Sequence, residues 1–247
     1  VIGTLAIQGG KLTLGGSSTA TTPTTETITT FNVTNGGGRI ELTPNAANPL
    51  TLTIGTLSSG NGHGGLVIGG ITGVASANGV ANVIITTPSL IAGQGTGANG
   101  TTTMAVRHDI LADASATGLG TGFLVKDSVT NNYRALASGE LNSVVTTWAG
   151  TQNAGLSSSQ TILGQTTANT LTISGTATLA SGLNATIFGS YGPSGGLLTQ
   201  TLSNASATLV LAGATGNINV GAYQSATVGT TPFLHVLTGG TLNMNAA

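Results

Sequence analysis

The sequence predicts an all-β chain, and among all-β architectures a parallel β-solenoid. Three observations carry this. Apolar residues fall at every second position in segment after segment, commonly with Thr between them, as in Leu50-Thr-Leu-Thr-Ile-Gly55 and Thr170-Leu-Thr-Ile-Ser-Gly175. That is the period of a half-buried strand. The segments are short and break at Gly, Asn or Ser, which turn the chain. Aromatic residues make up only 3% of the chain, too few for the wide core of a sandwich, whereas small aliphatic side chains stacked in ladders fill a narrow coil, with Thr packing well on the outer pleated face.

Along the chain, alternation predicts strands in Gly3–Ile7, Lys11–Gly15, Arg39–Leu42, Leu50–Gly55 and Leu66–Ile68, and later in Thr170–Gly175, Thr176–Leu179, Ala207–Leu211 and Gly240–Met244. Thr and Gly are poor helix formers, and the best helical stretches are Ala135–Asn142 and Ser157–Leu163. At ~20–25 residues per coil the chain makes about 10–12 coils, and at ~4.8 Å per coil a rod on the order of 50 Å long. The reading is one solenoid domain over residues 1–247, with irregular coils. Seven of the charged residues (Arg107, Asp109, Asp113, Lys126, Asp127, Arg134 and Glu140) cluster in one stretch. Residues 107–142 are therefore expected to be a charged, less regular segment, either an insertion that protrudes from the rod or a less regular coil.

Composition narrows the function classes. Charged residues are 4% of the chain, against ~25% in ordinary domains. Apolar residues at 39% and a mean hydropathy of +0.32 supply enough burial to offset ordering, unlike a disordered chain. A net charge of −1 gives no electrostatic footprint for nucleic acid or an anionic membrane. No apolar run is long enough for a membrane-spanning helix, and without cysteine there are no disulfides or thiolate metal sites. The chain opens at Val1 with no charged segment leading into an apolar one, so it is expected to be a processed form or a stretch of something longer.

Gly3-Thr-Leu-Ala-Ile-Gln-Gly-Gly-Lys-Leu-Thr-Leu14 resembles the autotransporter-associated β-strand repeat, a Gly-Thr-Leu unit followed by a Gly/Thr turn. The block from His108 to Phe123, followed by Tyr133-Arg-Ala-Leu136 and Glu140-Leu141, resembles the segment between repeat blocks in large surface proteins of that family, found in planctomycetes, verrucomicrobia and proteobacteria. Asn169-Thr-Leu-Thr-Ile173 and Gly240-Thr-Leu-Asn-Met244 are similar to their later strands. The resemblance implies a right-handed parallel β-helix exported to the bacterial cell surface or matrix.

Motifs that carry chemistry are sparse. His63, His108 and His235 are far apart, with no ligand spacing for a metal. Asp109 and Asp113, with Arg107 beside them, are the one carboxylate pair that glycoside cleavage would use; the blander reading, a solvated or ion-paired segment, is favoured. The Gly-rich runs at Gly36–Gly38, Gly60–Gly65 and Gly93–Gly100 lack the Gly-Lys-Ser/Thr ending of a phosphate loop and read as turns. Sequons at Asn32, Asn99, Asn184 and Asn204 are expected by chance in a chain this rich in Asn and Thr. Trp148, Tyr133, Tyr191 and Tyr223 could stack on sugar rings, but isolated aromatics more often plug a core.

The sequence therefore points to a structural, extracellular or cell-surface element, a segment or subunit of a fibre, stalk or surface layer. It is not expected to be an enzyme or to hold a cofactor or metal. The alternative is an adhesin for carbohydrate or another cell, with Arg107, His108, Asp109, Asp113, Lys126, Asp127, Arg134 and Glu140 as the interaction surface; a polysaccharide-active β-helix comes third. Strand pattern reaches both ends, so copies are expected to associate head to tail, or the rod to continue in a longer chain.

Overall fold

Thr-aliphatic alternation produces strands wherever it occurs among the residues that the structure describes. The computed structural model describes residues 1–18, 22–59, 65–87, 97–149, 151–158, 160–162, 168–174, 178–181, 196–200, 208–211, 233–236 and 244–245. It is all-β, with no α-helix among these residues. The predicted strand segments at Thr170–Gly175, Thr176–Leu179, Ala207–Leu211 and Gly240–Met244 lie partly outside them. By contact the chain divides into two units, residues 1–90 with 109–136, and residues 91–108 with 137–247, where the repeat pattern points to one domain.

The first unit is built from β1 (Ile2–Ile7), β2 (Gly10–Gly15), β3 (Thr24–Val33), β4 (Gly38–Thr43), β5 (Leu50–Ser59), β6 (Leu66–Gly69), β7 (Ala81–Thr87) and most of β8 (Val106–Asp113), followed by β9 (Gly122–Lys126) and β10 (Tyr133–Ala135). Successive strands alternate between two sheets. One runs β1-β3-β5-β7, the other β2-β4-β6-β8 and on to β9 and β10. Pairing is parallel from β1 to β7 and from β2 to β8. Ile2 aligns with Ile28 and Ile28 with Ile54, so the chain advances by the same length each time. In the second sheet Lys11 aligns with Arg39 and Arg39 with Val67, again by equal steps. Both steps are longer than the coil length expected from the sequence, because each repeat carries two strands and two connections.

Constant register stacks like on like. Ile28, Ile54 and Ile85 form one ladder, and Phe31 sits between Leu5 and Leu57 in another. Ile40 and Ile68 stack on the facing sheet. Ile28, Phe31, Ile40, Ile54 and Ile68 are all at most 1% exposed, and together they form the apolar core. Along β3 the buried side chains are Ile28, Phe31 and Val33, so the alternation skips a position between Ile28 and Phe31; β5 repeats the skip between Ile54 and Leu57. The strand thus turns a corner and presents both arms to the same core. Gly55 stands at the corner, where an added Cβ would come within 2.5 Å of the Thr29 carbonyl oxygen.

The charged stretch divides in two. Its beginning is regular: β8 pairs in parallel with β6, Leu66 aligning with Ile110 and Gly69 with Asp113. Only after Asp113 does the chain leave the ladder. β9 and β10 form an antiparallel pair, and Leu124 and Tyr133 complete the apolar core. Residues 109–136 thus belong to the first unit and share its core, with the regular ladder giving way after Asp113.

In the second unit β11 (Asn153–Leu156), β13 (Thr170–Ser174), β15 (Gly196–Gln200) and β17 (Phe233–Val236) form one parallel sheet, and β12 (Gln160–Ile162), β14 (Thr178–Ser181), β16 (Thr208–Leu211) and β18 (Met244–Asn245) another. The same odd-even alternation holds, and the advance is uneven, as it also becomes in the first unit from Ile54 to Ile85 and from Leu66 to Ile110. It is shortest from Asn153 to Thr170 and far longer from Gly196 to Phe233. Neither helical stretch is a helix where it is described. Ala135 ends β10, Ser138–Glu140 is a single 3-10 turn, and Gln160–Ile162 is β12; the poor helix propensity of Ser, Thr and Gly prevails.

Candidate functional site

On the outer face of the second sheet, parallel register places Lys11 directly beside Arg39. Two stacked cations would repel, but Glu41 lies two residues beyond Arg39 on the same face. It pairs with Lys11 at 3.0 Å and with Arg39 at 2.8 Å. The Lys11 ammonium, with the Arg39 guanidinium, holds the Glu41 carboxyl below the usual carboxylate range against the opposing effect of burial. Arg39 also donates from Nη2 to the Ala116 carbonyl at 2.6 Å. It thereby ties down the 114–120 loop, which crosses Gly69 so closely that a Cβ there would meet the Ala116 and Ser115 carbonyls. The signal for this triad was the recurrence of Gly10-Lys-Leu-Thr-Leu and Gly38-Arg-Ile-Glu-Leu; it escapes sequence reasoning because only the coil advance makes these residues neighbours.

Three carboxylates in the charged stretch share one task. Asp113 accepts from the Ser115 N–H at 2.8 Å and the Gly120 N–H at 3.0 Å. Asp127 accepts from the N–H groups of Val129 (3.0 Å) and Thr130 (2.9 Å), from the Thr130 hydroxyl, and from Arg134 Nε at 3.1 Å. Burial pushes the Asp127 carboxyl up, but these donors, the Thr130 and Val129 N–H groups foremost, more than offset it and hold its pKa at about 2. Glu140 accepts from the Ala137 N–H at 2.8 Å and the Gly100 N–H at 2.9 Å. Each acid satisfies backbone donors that have no neighbouring strand.

Arg107, Asp109, Asp113, Asp127 and Glu140 are buried, at 3–8% exposure, and Lys126 is half-buried. The expectation for them was a solvated or ion-paired segment; these five are buried rather than solvated. For Asp113, Asp127 and Glu140 the cause is the carboxylate-to-backbone bonding of the turns. His108 lies in β8 and His235 in β17, but their side chains, like all of His63, fall outside the described residues. Of the eight candidate residues, Asp127 and Arg134 are joined as an ion pair. The turn between β9 and β10 is tied to the loop between β6 and β7: the Thr130 hydroxyl donates to the Gly73 carbonyl at 2.6 Å and Asn132 Nδ2 to the Val74 carbonyl at 2.8 Å.

Among the described residues no group of three or more His, Cys, Asp or Glu side chains could hold a metal ion. A cavity of about 230 Å³ near Leu42, Pro44, Val80 and Ala116 has no ionisable side chain in its lining. In the second unit the buried polar centre is Asn153, fully enclosed. Its Nδ2 donates to the Met104 carbonyl at 2.9 Å, and its Oδ1 accepts from Asn169 Nδ2 (2.9 Å) and the Thr170 hydroxyl (3.0 Å). Trp148 is likewise anchored, donating from Nε1 to the Asn142 carbonyl at 2.8 Å. Comparison with protein-family models, curated proteins and solved structures gives no match to this chain. No helix among the described residues is long and apolar enough to cross a membrane.

Proposed function

We propose that the chain is a structural element of a bacterial cell surface or extracellular layer, built from parallel β-solenoid blocks. The observation that carries this reading is the strand order. From β1 to β8 odd-numbered strands stack in one sheet and even-numbered strands in another, all in parallel, and β11 to β18 repeat the pattern in two further sheets; the advance is constant over the first pairings, β1-β3-β5 and β2-β4-β6. A chain winding coil upon coil has that connectivity, and such a stack draws its cohesion from backbone hydrogen bonds between coils rather than from any reactive group. The resemblance of Gly3–Leu14 to surface-protein repeats supports the location. The adhesive alternative would need its charged residues outside; Arg107, Asp109, Asp113, Asp127 and Glu140 are buried, which favours the structural role. β1 and β2 stand at sheet edges among the described residues, and Ile2 is 42% exposed; edges of this kind accept further strands, which supports stacking on further coils.

Antibody labelling of intact cells of the source organism tests the location. Signal without permeabilisation is expected; signal only after lysis overturns it. A crystal structure tests the solenoid, where each coil is expected to close with right-handed winding. Sheets whose strands come from unclosed or left-handed connections would refute it.

A further inference from the structure

The chain contains four Asn-Gly steps, at Asn35, Asn61, Asn78 and Asn99. Asn61 lies outside the described residues. The other three occupy the same kind of turn. Gly37 donates its N–H to the Thr34 carbonyl, Val80 to Ala77, and Thr101 to Ala98, at 3.2, 3.0 and 3.1 Å. In each turn Asn and Gly are the central pair, and the glycine has positive φ: +94° at Gly36, +75° at Gly79 and +80° at Gly100. The local sequence and backbone are therefore matched three ways.

What differs is the glycine N–H. Gly79 donates to the Asn45 carbonyl at 3.1 Å. Gly100 donates to the Glu140 carboxylate at 2.9 Å. Gly36 has no such acceptor among the described residues, and both Asn35 and Gly36 are exposed to solvent. This nitrogen is the nucleophile in the spontaneous chemistry of Asn-Gly. It loses its proton to a solvent base and attacks the Asn Cγ; the C–N bond to the side-chain amide breaks and ammonia leaves. Water then opens the five-membered imide at either carbonyl, giving aspartate or isoaspartate, with no redox change. A glycine nitrogen already donating to a good acceptor must give up that bond before it attacks.

We propose that Asn35 is a site of spontaneous deamidation built into the first unit, and that Asn78 and Asn99 are protected by their glycine hydrogen bonds. This inference rests on the turns alone and stands whether or not the chain serves at a cell surface. The site matters to the stack. Gly9 donates to the Gly37 carbonyl at 2.6 Å and Gly38 to the Gly65 carbonyl at 2.9 Å, so the Asn35 turn is held between the turns before and after it. Conversion places a new negative charge there, in a chain whose net charge is −1, and isoaspartate adds a backbone carbon to a connection whose length is matched to its neighbours.

The test is peptide mapping by mass spectrometry of the full chain after timed incubation at mildly alkaline pH, folded and in denaturant. In the folded chain, acid at position 35 is expected to accumulate roughly tenfold faster than at 78 or 99, the order of one hydrogen bond. In denaturant the three rates should converge. Equal rates in the folded chain overturn the proposal, and so does the same ranking persisting in denaturant, which would trace it to sequence alone. Glu140→Ala should speed conversion at Asn99 without moving Asn35; a slower Asn99 would mean that the carboxylate acts as the base and would overturn the protective role.

Discussion

The stacked strands of the first unit and the turns after Asp113 solve the same problem by different means. In the stack, backbone N–H and C=O groups bond to the coil before and the coil after, and identical rungs such as Ile28 on Ile54 pack in identical ways. No charge is required, and the chain from Thr24 to Thr87 contains only Glu26, Arg39 and Glu41 as charged residues. After Asp113 the chain leaves the ladder, and its turns present backbone donors without a partner strand. Asp113, Asp127 and Glu140 fill that gap. Half of the six acidic residues thus sit where the repetition stops. In a chain this poor in charge, a carboxylate marks a break in the stack more than a site of chemistry.

Breaking a rung should cost most. Phe31 is fully enclosed between Leu5 and Leu57, so Phe31→Ala should lower stability by about 3–5 kcal/mol, read as the midpoint of denaturant unfolding. A loss under about 1 kcal/mol would mean that the ladder does not form the core.

The turn side of the comparison is sharpened by pH. The Asp127 carboxyl is held at about 2, below its ordinary 3.8. A lowered folded-state pKa gives stability that is fully present above the unfolded value and is lost as pH falls through the folded one. The first unit should therefore weaken as pH falls from about 4 to about 2, and Asp127→Asn should be less stable at neutral pH and flatten that slope. An unchanged pH profile in the variant would remove Asp127 from its stapling role.

The smallest effect belongs to the surface triad. Lys11 is exposed, and its pair with Glu41 is screened by solvent. Lys11→Ala should shift the unfolding midpoint only slightly, and less at high salt. A larger shift than that of Asp127→Asn would show that charge on the outer face matters more than charge in the turns.

The all-β class and five strands of the first ninety residues, at Gly3–Ile7, Lys11–Gly15, Arg39–Leu42, Leu50–Gly55 and Leu66–Ile68, were legible in the sequence, since alternation of Thr with Leu, Ile and Val is a local property; β3 and β7 were not among the predicted segments. The corner was not: Ile28-Thr-Thr-Phe-Asn-Val33 lay outside the predicted strands, and its match to Ile54-Gly-Thr-Leu-Ser-Ser59 emerges only once the parallel register lays one segment on the other. The charged stretch reads as solvated or ion-paired because charge normally faces water or a partner. Composition assigns those charges to the surface, whereas their burial follows from backbone donors that appear only when the chain turns.

By itself, then, the sequence determined that the Thr-alternating segments extend and that Gly and Asn turn the chain between them, because both follow from the dihedral preferences of a residue and its nearest neighbours. The tertiary structure alone decided which rung lies on which, that Lys11 meets Glu41 across a coil, and which glycine N–H in three matched turns finds an acceptor. Those pairings join residues as far apart in the chain as Gly100 and Glu140, and their register is set by how the whole core packs, not by any local preference.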